Sequence, residues 1–246
     1  MDKKVKVWAM KRKWIWWAGG AVLVVLVLAF TVLFWFDPTR RTTEPEFSGL
    51  SRTVTGNTLS SENDPPVQMS FDEQFEYIGG HKFILYGTAD VEQHFFVEDH
   101  PDGTLKSFFW IQFEGFLPDN DYTYDYSGSP LRLQIGAFDF YTDTAAGTSN
   151  QLMRLGWPGT DGYLARKFAA DKGYTMPDDY AYARLVHIPD DMSRKELLII
   201  FMEDLAPTGW TGESLREGGE HEGRWSEVEA AHLDRIKRVM SLSRPG

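Results

Sequence analysis

Asp90, Glu92 and His94 occupy alternate positions of one apolar run, and Trp110, Gln112 and Glu114 do the same in a second. Between the runs stands His100-Pro101-Asp102-Gly103, a turn signal. Proline sets the φ of its own position, and glycine accepts the left-handed one that follows. The aromatic content of both runs makes them the arms of a β-hairpin. A three-residue Pro-Asp-Gly loop, a type I turn followed by a left-handed glycine, pairs His100 with Thr104. Carried outward, that register sets Glu98 against Lys106, Phe96 against Phe108, His94 against Trp110, Glu92 against Gln112 and Asp90 against Glu114. Side chains alternate between faces, so Val91, Phe95, Val97, Phe109, Ile111 and Phe113 share the apolar side. Asp90, Glu92, His94, Gln112 and Glu114 gather on the other, beside Trp110. Carboxylates and an imidazole so placed could bind a divalent metal, or raise one carboxylate's pKa for acid–base work. The same residues also suit the solvated outer face of a half-buried sheet. A slip of one residue in register would break the cluster up.

A second set of candidates is aromatic. Tyr122, Tyr124 and Tyr126 alternate on an expected short strand and, with Trp110, could form a ligand platform or pack a sheet. Asp119 to Asp125 places oxygen ligands at alternate positions, like the start of a calcium loop. An EF-hand would need Gly where Tyr124 stands and Glu where Pro130 stands, so an acidic inter-strand loop is the better reading. Glu220-His221-Glu222 reads as solvated surface and His187 as a hydrogen-bonded strand residue. The chain has no phosphate-binding loop, dinucleotide fingerprint, G-x-S-x-G elbow, S-x-x-K or H-E-x-x-H. It also has no cysteine, which excludes disulfides, thiolate metal sites and thiol nucleophiles. No particular cofactor is implied, and no metal is assigned.

The elements that must position these residues begin at Phe71. Strand-like runs from Phe75 to Val97 are broken at Gly79-Gly80 and Gly87, and the second hairpin arm spans Phe108 to Phe116. Leu131, Leu133 and Ile135 alternate, after which the apolar parity shifts to Phe138 and Phe140, as a bulge at Gly136-Ala137 would produce. A helix is expected from about Asp161 to Lys172, ended by Gly173, and a strand from Tyr182 to Ile188. Leu197 to Met202 is apolar on both faces, the mark of a strand covered on both sides. A closing amphipathic helix starts near Ser226, where Ser226 and Glu229 fit a capping box, and presents Val228, Leu233, Ile236, Val239 and Met240 on one face. The expected class is α+β, with a mainly antiparallel sheet and a C-terminal amphipathic helix behind a single N-terminal transmembrane helix. The curved-sheet-and-helix pattern resembles domains that enclose an apolar cavity, a likeness of architecture alone.

That transmembrane helix is expected over residues 14–36, which carry no charged side chain. As a helix the run would span about 35 Å, against about 30 Å of bilayer hydrocarbon. Six basic side chains against one acidic give residues 1–36 a charge of +5 and, from a total of −11, leave −16 on the remainder. The positive-inside rule then makes residues 1–13 a cytoplasmic basic N-terminus and sends the rest outside the cell membrane as a single-pass, signal-anchored protein. Residues 37–70, rich in Ser, Thr, Pro and Glu, read as a flexible tether, and residues 71–246 as one extracytoplasmic domain. The acidic domain repels phosphate backbones, so no nucleic-acid partner is expected. The partners expected are the lipid bilayer, through residues 14–36, and a membrane protein. Three function classes follow: a non-catalytic accessory or assembly subunit docked on that partner, a binding module for an apolar or aromatic small molecule, and a metal- or carboxylate-assisted hydrolase.

Overall fold

Eleven strands and three α-helices make up the described chain, residues 37–149 and 156–245 of a computed structural model. The strands are β1 (Thr53–Thr55), β2 (Thr58–Ser61), β3 (Val67–Phe71), β4 (Glu76–Leu85), β5 (Ala89–Asp99) and β6 (Leu105–Phe116). After them come β7 (Leu131–Ile135), β8 (Phe138–Thr148), β9 (Asp179–His187), β10 (Lys195–Asp204) and β11 (Met240–Ser243). The helices are α1 (Asp161–Asp171), the single-turn α2 (Gly212–Leu215) and α3 (Trp225–Val239).

Two antiparallel sheets result. The larger has seven strands in the order β4-β5-β6-β10-β9-β8-β7, and the smaller has four in the order β1-β2-β3-β11. β6 and β10 lie at the middle of the larger sheet and are buried on both faces, which is why both read as continuous apolar runs. One face of the large sheet packs Phe109, Ile111 and Phe201 against Leu59, Met69 and Phe71 of the small sheet and Ile236 of α3. The opposite face packs Phe95, Phe108 and Ile200 against Ala165, Phe168 and Ala169 of α1. Thr160 caps α1 by accepting from the Tyr163 N–H, and Gly173 (φ +96°) follows its last turn.

Several expectations are corrected. The α+β class does not fit the described residues, which are mostly antiparallel sheet with few helices. Residues 14–36 lie outside the described residues, and among those described no helix is long and apolar enough to cross a membrane. The tether expected over residues 37–70 is structured. It supplies β1, β2 and most of β3, and residues 43–46 run beside edge strand β4. There Thr43 N–H donates to the Ile84 carbonyl (3.0 Å), while Glu46 and Lys82 exchange N–H···O bonds of 2.8 and 2.9 Å. This strap blunts an edge that would otherwise offer unpaired backbone groups. Its polar composition reflects strands with only one buried face, not a lack of structure.

Gly136-Ala137 is the two-residue turn of the β7–β8 hairpin, not a bulge: Ile135 pairs with Phe138, and Gly136 takes φ +59°. Residues 122–126 form no strand. The capping box at Ser226 is absent because α3 begins at Trp225 with no side-chain cap, and Met240 starts β11 instead of ending the helix.

Candidate functional site

The β5–β6 hairpin forms, but with a different register. Asp99 pairs with Leu105 and Glu98 with Ser107, so the ladder shifts by one residue beside the turn. Gln93 therefore faces Gln112, Phe95 faces Trp110 and Glu92 faces Phe113. Because side chains alternate, the shift sends the two halves of the expected cluster to opposite faces. Asp90, Glu92 and His94 share the face of Phe96 and Phe113, and Trp110, Gln112 and Glu114 share the face of Phe95.

The first half forms a relay. His94 is fully buried, and its Nε2 donates to Glu92 Oε1 at 2.8 Å. On the other side of the ring, Nδ1 lies 2.9 Å from the Tyr77 phenol oxygen. Glu92 also accepts the backbone N–H groups of Ser51 (2.8 Å) and Arg52 (3.0 Å), with the Arg52 guanidinium 3.6 Å away. Burial alone would push the Glu92 carboxyl up, but bonds from His94 and Ser51 and the Arg52 charge outweigh it and hold it at about 2. The Tyr77 phenol is pushed up to about 12 by burial and by the Glu92 charge. Gly80 makes the approach possible. A Cβ there would stand 2.9 Å from His94 Nδ1, 3.2 Å from the Tyr77 oxygen and 2.5 Å from the Gln93 carbonyl oxygen. Asp90 is exposed and joins no such network.

The second half meets partners that lie far away in sequence. Glu196 of β10 stands directly opposite Glu114 of β6, and Asp161 opens α1 above them. Tyr124 donates to Glu114 (2.8 Å) and Tyr126 to Glu196 (2.7 Å). Gln112 Nε2 donates to Glu114 (2.6 Å) and lies 3.5 Å from Asp161 Oδ2. Burial pushes Glu114 up to about 7, with the Asp161 charge adding to it, and pushes Glu196 up to about 8, with the Glu114 charge adding to it. Asp161 is raised by burial as well. At neutral pH Glu196 is mostly protonated and serves as a neutral hydrogen-bonding group, while Glu114 is poised near its midpoint. The Tyr124 ring stacks on Phe116 with centroids 4.3 Å apart. Tyr122 is 56% exposed and stays outside the cluster. Among the described residues, no group of three or more His, Asp or Glu side chains is arranged to hold a metal ion.

A groove of about 860 Å³ opens between the strap, β4 and α1. Phe47 and Leu50 line it from the strap, Tyr77 and His81 from β4, and Leu164 and Phe168 from α1. It therefore touches both networks, since Tyr77 belongs to the relay and His81 Nε2 sits 2.7 Å from Gln93 Oε1. Glu44 and Asp171 balance Lys167 and Lys172 among its lining residues. Burial, the largest influence, pushes the His81 imidazole down to about 4, so it is neutral in the groove wall.

No known protein family, curated protein or solved structure matches this chain.

Sequence reasoning singled out Trp110, Gln112, Glu114, Tyr124 and Tyr126, which the fold brings together, and Glu92 with His94, which it places elsewhere. It missed Tyr77, His81, Gln93, Asp161 and Glu196. One of these carried a signal of its own: Gln93 interrupts the apolar face of Val91, Phe95 and Val97, while Gly79-Gly80, between Tyr77 and His81, marks a close backbone approach within a strand.

Proposed function

We infer that this chain is a binding module for an uncharged, largely apolar or aromatic small molecule. The observation that carries the reading is the groove of about 860 Å³, whose apolar wall of Phe47, Leu50, Tyr77, Leu164 and Phe168 is accompanied by three threonines and the charges of Glu44, Lys167, Asp171 and Lys172. Its size and composition are those of small-molecule sites. The balanced charges of its lining select neither anions nor cations. The ring of Phe47 is 66% exposed yet lies 6.1 Å from Phe168 and 5.9 Å from His81, centroid to centroid. An apolar occupant would withdraw that ring from water at little reorganisation cost.

The accessory-subunit reading has less behind it. Large apolar side chains exposed among the described residues are Phe47, Tyr122, Trp157 and Met192, and the first of them belongs to the groove. Titration of the full chain with an uncharged solvatochromic dye tests the binding reading. Saturable binding is expected, and Leu50→Arg, which puts a charged side chain into the groove wall, should abolish it. Dye binding that Leu50→Arg leaves unchanged would place any ligand elsewhere and refute the reading.

A further inference from the structure

The hydrogen-bond ladder beneath α1 fixes which atoms the groove can offer. Its starting point is Trp110, whose indole N–H can only donate and lies 3.0 Å from Gln112 Oε1. That contact assigns the Gln112 amide: its oxygen faces Trp110, and its nitrogen faces Glu114 at 2.6 Å. The same Gln112 oxygen lies 2.6 Å from the amide of Gln93, so the Gln93 nitrogen must be the atom that faces it. Gln93 Oε1 is then turned toward His81 Nε2 at 2.7 Å. An amide oxygen only accepts, so His81 carries its proton on Nε2. In the neutral ring this leaves Nδ1 as a bare lone pair.

The surroundings of that lone pair are apolar. His81 is 2% exposed, and its ring lies edge-on to Phe83, Phe95 and Phe168 with centroids 5.2–5.4 Å apart. His81 has no hydrogen-bonding partner at Nδ1 among the described residues. With no donor supplied by the described residues, that acceptor is left to whatever the groove brings to it, water or a ligand. A ligand that supplies a donor there forms a hydrogen bond, and one that presents an oxygen lone pair meets repulsion.

Resting on the groove as the binding site, we propose that its ligand is an uncharged aromatic or apolar molecule bearing a hydroxyl group, which donates to His81 Nδ1. The specificity is for the donor. A hydroxyl binds, and the same molecule with that hydroxyl methylated does not bind equally well. His81 acts as a specificity residue, positioned by a chain that runs through Gln93 and Gln112 to Trp110.

The test compares 2-naphthol with 2-methoxynaphthalene on the full chain by calorimetric titration at neutral pH. The naphthol should bind about five- to tenfold more tightly, the worth of one net hydrogen bond. His81→Phe retains the aromatic packing and should bring the two affinities together. Nitrogen NMR of the wild-type imidazole provides a measurement that does not depend on a variant folding. Nε2 should be protonated and Nδ1 bare in the free protein, and the Nδ1 signal should move with naphthol and not with the ether. Equal binding of the two compounds, or a proton found on Nδ1, would overturn the donor requirement while leaving the groove reading intact. Failure of both compounds to bind, or binding of both that Leu50→Arg leaves unchanged, would remove the groove reading and this proposal with it.

Discussion

Glu196→Gln isolates the cost of the buried carboxyl pair. Glu196 is 3% exposed, faces Glu114 across the β6–β10 ladder and accepts the Tyr126 phenol. Its ordinary value of 4.5 is pushed up to about 8 by burial and by Glu114. A group whose folded value is raised contributes stability that is fully present below its unfolded value and lost as pH climbs through the folded one. For Glu196 the loss therefore begins near 4.5 and is complete just above 8. Each factor of ten in proton affinity is about 1.4 kcal/mol, so this carboxyl removes on the order of 3–5 kcal/mol between pH 4 and pH 9. Domains of this kind have about 5–15 kcal/mol in total, so the effect is large. Glutamine keeps the oxygen that Tyr126 needs and never ionises. Chemical denaturation of the full chain at pH 5, 7 and 9 should find variant and wild type within about 1 kcal/mol at pH 5. At pH 9 the variant should be the more stable by about 3 kcal/mol. Stability profiles that run parallel across this range would show that Glu196 ionises freely and would refute the buried-pair argument.

Glu92→Gln should behave with the opposite sign, because Glu92 is held at about 2. Its contribution is present above its ordinary value of 4.5 and is lost as pH falls through about 2, so the variant should lose roughly 1–3 kcal/mol at pH 7 and close the gap in acid denaturation near pH 2. Ile236→Ala empties a fully buried position where α3 meets the sheets and should cost about 2–5 kcal/mol in denaturant titrations. Gly80→Ala drives a Cβ to 2.5 Å from the Gln93 carbonyl oxygen and should cost about 1–3 kcal/mol, with the loss of protected β4 amides in hydrogen exchange. An Ala substitution at Gly136, where φ is +59° and the Cβ would stand 2.1 Å from the Leu242 carbonyl oxygen, should loosen the β7–β8 hairpin in the same assay.

Local pattern carried much of the fold. A continuous apolar run marked β10 as a strand covered on both faces, an aromatic run marked β6 as a hairpin arm, and Gly173 marked the end of α1. The polar strands of residues 53–71 were not legible, because a strand with one buried face and Ser or Thr on the other resembles a solvated linker in composition. The candidate site was legible only in fragments. Alternation shows which residues of a strand share a face, but the face is chosen by register, and one extra residue beside the Pro-Asp-Gly turn reversed it for half of the cluster. Trp110, Gln112 and Glu114 thus announced a polar row on β6. Glu196 and Asp161 reach that row only because β10 pairs with β6 and α1 packs over both, contacts across 82 and 47 residues of chain from Glu114 that no local period encodes. The sequence by itself determined the apolar strands, the extent of α1 and the types of polar side chain placed within apolar runs. The tertiary structure decided which of those side chains meet, because hydrogen bonding between distant strands, not spacing along one strand, sets their partners.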